Sequence, residues 1–171
     1  QEKLEREQRR EQTRERIATE TGLFNHYYKQ LAQQPISVNK SHLQKIDPNS
    51  EFGQHLVAIV ATDNLMQALT RYQDDPSTTK HQRTLAELQY ERLGNDLISH
   101  SQSALENVKN SRHTVSQKAD TAALKGVFDA MVPGHKQNLS QTQQERLQSV
   151  SLAINDLNHD INRSRGMTLG F

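Results

Sequence analysis

The chain has 171 residues, 33% hydrophobic and 5% aromatic, and its 21 basic and 20 acidic side chains leave a formal net charge of +1. The absence of cysteine excludes disulfides, thiolate catalysis and cysteine-ligated zinc. Charges that nearly cancel argue against broad electrostatic binding to nucleic acid or an anionic membrane.

Residues 1–20 contain only Leu4, Ile17 and Ala18 as apolar groups, yet nearly every position suits a helix. At 100° per residue, Lys3, Arg6, Arg10 and Arg14 form one stripe, with Glu7, Glu11 and Glu15 beside it. Pairs such as Lys3–Glu7, Glu7–Arg10 and Glu11–Arg14 would each add a few tenths of a kcal/mol, about 0.2–0.5. This predicts a charged helical arm over 1–21, coiled-coil-like in texture but without an apolar seam. Gly22 is a candidate bend. Leu23, Phe24, Tyr27, Tyr28 and Leu31 then make an apolar face at helical spacing, holding three of the eight aromatic residues. Pro35 ends that helix by forcing residue 34 out of the helical region.

A short turn is expected around Ser41 to Ile46. Asp47-Pro48 reads as a helix start, with Asp as N-cap and Pro in the first turn. Phe52, Leu56, Ile59, Val60, Leu65, Met66, Leu69 and Tyr72 follow, predicting the most buried helix. Its most apolar stretch, Leu56 to Ala61, falls well short of the roughly 18 residues of a membrane span. Asp74-Asp75-Pro76 repeats the Asp-Pro punctuation. The next helix, about 77–110, carries Leu85, Leu88, Leu93, Leu97, Ile98, Leu105 and Val108, with a kink expected near Gly94. A fourth helix runs from about Thr114 to Val132. Its expected face is Val115, Ala119, Ala122, Ala123, Val127, Ala130 and Met131, with Leu124 and Phe128 beside it, and Pro133-Gly134 ends it. Ser140 and Gln143 form a capping box for the last helix. There Leu147, Val150, Ile154, Leu157 and Ile161 step by three and four, and residues 164–171 read as a tail.

Candidate chemistry is sparse. No two of the eight histidines are four apart, so no helix presents a His-x-x-x-His metal pair. His159 beside Asp156 and Asp160 reads as a solvated face. No nucleophile elbow or phosphate-binding glycine loop occurs. Asp63 interrupts the most apolar helix, where a carboxylate lies either at the edge of the buried face or in a pocket with His55.

The reading is therefore an all-α protein: an antiparallel bundle of four to five helices over 22–163, preceded by the charged arm and followed by the tail. With no initiator Met, the chain is read as part of a larger protein, and its Gln-, Asn- and Ser-rich helical texture as bacterial; it is expected in the cytoplasm, or in a host cytosol if its parent is secreted. The expected function is a non-enzymatic protein–protein interaction module without metal or cofactor. Phe24, Tyr27, Tyr28 and Leu31 are the candidate partner-binding residues. Two alternatives are kept: a nucleic-acid accessory domain contacting its ligand through Arg6, Arg10 and Arg14, and an enzyme without a recognisable motif, centred near Asp63 and His55.

Overall fold

The computed structural model describes residues 1–34, 46–111 and 114–169. Five helices are found among them: α1 (Glu2–Gln33), α2 (Glu51–Asp74), α3 (Lys80–Lys109), α4 (Thr114–His135) and α5 (Gln141–Leu169), with no strand. The all-helical expectation holds. The turn predicted around Ser41 to Ile46 lies almost wholly outside the described residues.

The chain divides into two compact units. One comprises residues 1–35 and 65–92; the other comprises residues 36–64 and 93–171. In the first, Phe24 is buried against Tyr72, and Tyr27 stacks on Tyr72 with ring centroids 4.6 Å apart. The Tyr27 hydroxyl also reaches the Ala68 carbonyl at 3.4 Å. The contacts of Phe24 with Tyr72 and Tyr27 with Ala68 make α1 antiparallel to the second half of α2. On its other flank α1 meets α3: Thr21 pairs with His81, the Gln82 amide donates to the Glu20 carbonyl, and the Gln89 amide donates to the Tyr28 hydroxyl. That register makes α1 and α3 parallel.

The second unit has the larger apolar core. It includes Leu56 and Ile59 of α2, Leu97 and Val108 of α3, Leu124 and Phe128 of α4, and Leu147 and Ile154 of α5. A five-residue connection joins α4 to α5, and the two pack as a helical hairpin. Their seams are regular: Thr121, Leu124, Phe128, Met131 and His135 on α4, and Gln143, Leu147, Val150 and Ile154 on α5. The face predicted for α4 is thus rotated. Val115 is 85% exposed and Ala122 and Ala130 are exposed, because turning Leu124 and Phe128 inward removes more apolar surface than burying alanines.

Several helix ends differ from the expectation for stated reasons. α1 passes through Gly22 without a break, since one glycine costs only about 1 kcal/mol in a helix supported on both sides. Gln34 is extended, as a residue preceding proline must be. Neither Asp-Pro pair caps a helix; both form turns one step earlier. Asp47 accepts from the Asn49 amide and Asp75 from the Ser77 amide. The caps are Ser50, whose hydroxyl accepts from Gly53 N–H, and Thr79, which forms a reciprocal box with Gln82. α3 runs unbroken through Gly94, where a Cβ would stand 2.7 Å from Gln143 Nε2 and 2.8 Å from Leu139 Cδ2. α4 continues past Pro133 to His135, whose ring is held in the interior. α5 extends to Leu169, beyond the last residue of its apolar seam.

The Ser140–Gln143 capping box forms as predicted, with both bonds at 3.2 Å. Both box glutamines use a remaining amide donor to tie the helix start to a neighbour. Gln82 reaches the Glu20 carbonyl of α1, and Gln143 reaches Asn95 of α3 at 3.0 Å.

Candidate functional site

Three features combine polar chemistry with a defined position. The first is the arm. Residues 1–19 lie in or at the start of α1 and are exposed, Arg6, Arg10 and Arg14 included. None of the expected Lys3–Glu7, Glu7–Arg10 and Glu11–Arg14 pairs is closed, as fits fully solvated side chains whose attraction barely offsets their ordering entropy. The arginines therefore remain available on one face. The apolar residues Phe24, Tyr27, Tyr28 and Leu31 sit where α1 enters its unit. Phe24 is 5% exposed, and the other three are half-buried. The rings of Phe24 and Tyr27 are engaged by Tyr72, Tyr28 stacks on Phe24, and burial raises the pKa of Tyr27 and of Tyr72 above that of free tyrosine. Leu23 on the same segment faces solvent, 59% exposed.

The second feature is a pair of ionisable groups inside the second unit. Asp63 Oδ1 lies 2.6 Å from His135 Nε2, with both side chains nearly inaccessible. Sequence placed Asp63 either at the edge of the buried face or with His55, and the structure gives it a different partner, 72 residues away. His55 stands eight residues earlier on α2, about 12 Å along the axis, and lines a separate groove. The signal for His135 was present but weak: a histidine at the end of an apolar seam spaced by three and four.

The third feature is that groove, an open trough of about 1010 Å³ between the first turns of α2 and the last turns of α3. From α2 it takes Glu51 and His55. From α3 it takes Ser99, Gln102, Ser103, Glu106 and Asn107, with Asn110 and Ser111 just past its end. No lysine or arginine lines it. Among the described residues these side chains make no hydrogen bond, whereas Ser101 on the same helix donates to the Leu97 carbonyl at 2.7 Å. His159, Asp156 and Asp160 lie exposed on α5. Among the described residues no three His, Cys, Asp or Glu side chains are grouped to hold a metal ion, and no helix is long and apolar enough to cross a membrane.

No protein-family model, curated protein or solved structure matches this chain. The geometry alone carries the functional argument.

Proposed function

We propose that this chain is a non-enzymatic protein–protein interaction module, in which helices consecutive in sequence run antiparallel and the charged arm is presented as the binding element. The observation that carries the reading is the continuity of α1. Its C-terminal half is fixed by Phe24, Tyr27 and Tyr28, while its first 19 residues project the same helix into solvent with charged stripes unspent. An isolated helix of that length is marginal in water. Joined to an anchored helix it is nucleated in advance, so a partner meets a preordered rod and loses less entropy on binding.

The ionisable groups of the interior support the same reading. Asp63 and His135 satisfy each other away from solvent, and the groove is open and remote from them along α2. A reaction centre needs titratable groups converging where a substrate can reach. Nucleic acid is the weaker partner class, because residues 1–20 carry six basic and six acidic side chains and so no excess for phosphate.

Size-exclusion chromatography with light scattering, together with capture of partners on the immobilised chain, tests the reading. A bound protein or a self-associated chain, lost when Arg6, Arg10 and Arg14 are changed to Glu, is expected. A monomer that retains nothing at micromolar concentration contradicts it. Salt-sensitive binding to a short duplex, lost in the same variant, would favour nucleic acid instead.

A further inference from the structure

The arm and the groove carry complementary chemistry. The side chains that α3 turns toward the groove recur at intervals of three and four from Ser99 to Asn107, and Asn110 just past the helix end continues the row, eleven steps in all, about 16 Å. That face and the opposing turn of α2 supply hydroxyl and amide oxygens, the His55 ring, and the carboxylates of Glu51 and Glu106. The charge is acidic and the hydrogen-bonding capacity is unspent.

On α1, Lys3, Arg6, Arg10 and Arg14 form a stripe of the same length, also eleven steps. It has a second property. Counting back from Leu31 by four and three gives Tyr27, Phe24, Glu20, Ile17, Thr13, Arg10, Arg6 and Lys3. The helix edge that packs inward at Phe24 and Tyr27 is therefore prolonged along the arm as a basic edge. A surface that packs along the arm as α2 packs along the aromatic part must offer acceptors and negative charge rather than apolar side chains.

We infer that a second copy of this chain offers that surface: the arm of one copy lies along the α2–α3 groove of another. The arginines pair with Glu106 and Glu51, and their forked donors bond to the serine, asparagine and glutamine oxygens. This rests on the interaction-module reading above and names the partner. The contact is heterologous, joining two different surfaces, so two copies either exchange arms or continue into longer assemblies. Phosphate-bearing ligands do not suit the groove, because its two carboxylates repel them.

The test is sedimentation velocity on the full chain across a concentration series, at about 0.05 M and about 0.5 M salt. A rise above the monomer mass of 19.5 kDa, weakened at least tenfold by the higher salt, is expected. Arg6→Glu with Arg10→Glu abolishes it, as does Glu51→Lys with Glu106→Lys, each variant keeping the helical circular dichroism of the parent. All four positions are solvent-facing, so folding is preserved. Mixing the two variants restores association, because each then offers the charge the other lacks. A chain monomeric at every concentration, or one whose association ignores both charge reversals, overturns the proposal. A monomer that still captures another protein through its arm arginines overturns self-docking alone and leaves the interaction-module reading standing.

Discussion

Replacing Asp63 with Ala removes the acceptor of a 2.6 Å bond from a ring that is itself 1% exposed. The loss is that of a buried hydrogen bond to a carboxylate, about 1.5–3 kcal/mol. A protein of this length shifts in Tm by about 2–4 °C per kcal/mol, so Asp63→Ala should melt roughly 3–12 °C below the parent. His135→Ala should cost at least as much, since it leaves a carboxylate buried and opens a ring-sized void. The decisive assay is a double-mutant cycle by urea denaturation followed at 222 nm. Coupling of about 1–3 kcal/mol between the two positions is expected. Additivity within about 0.5 kcal/mol would mean that the pair contributes nothing through its contact, and the argument that these groups satisfy each other would fail.

The glycines should separate by surroundings. Gly22→Ala, with nothing within 4 Å, should raise stability by about 0.5–1 kcal/mol, whereas Gly53→Ala sets a Cβ 2.0 Å from the Asp47 carbonyl oxygen and should lower it by about 1–3 kcal/mol; thermal melts distinguish the signs. Gln143→Ala removes one half of a capping box and the bond to Asn95, so a loss of about 1–3 kcal/mol in chemical denaturation is expected. Asp120 is half-buried on α4, and burial raises its pKa above the usual carboxylate value. The folded chain therefore holds this proton more tightly than the unfolded one, and the associated stability is present at low pH and lost as pH rises through the raised value. Asp120→Asn should melt higher than the parent at pH 7, with the difference vanishing on acidification; an unchanged difference would contradict the assignment.

The helical fold was legible because it is written locally. The three-and-four spacing of Leu147, Val150 and Ile154, or of Leu56, Ile59 and Met66, is fixed by the geometry of a single helix, and the Ser140–Gln143 box by four consecutive residues. Helix ends were less legible where two local devices competed. Asp47-Pro48 and Asp74-Asp75-Pro76 resemble caps, yet each forms a turn, and the cap falls to a hydroxyl a few residues on. Thr79 with Gln82 carried the same signature as Ser140 with Gln143 and was obscured by the preceding proline. Facing directions depend on the neighbour. Alanines on α4 looked like a contact face until the larger Leu124 and Phe128 claimed the interior. The Asp63–His135 pair was illegible because nothing local specifies a partner 72 residues away. The arm was readable as an exposed helix, while its relation to the groove needed the spatial pairing of α2 with α3.

Hydrogen exchange read by mass spectrometry on the full chain measures directly whether the arm is a preordered binding element. In dilute solution, amides of residues 2–19 should exchange more slowly than those of an unstructured peptide of the same sequence, though faster than those of 56–69 and 97–108. They should then gain protection at high concentration or with a captured partner, together with 99–110 if the partner is a second copy. An arm exchanging as fast as the unstructured peptide when dilute, or protection gained only elsewhere, would contradict a preordered binding arm.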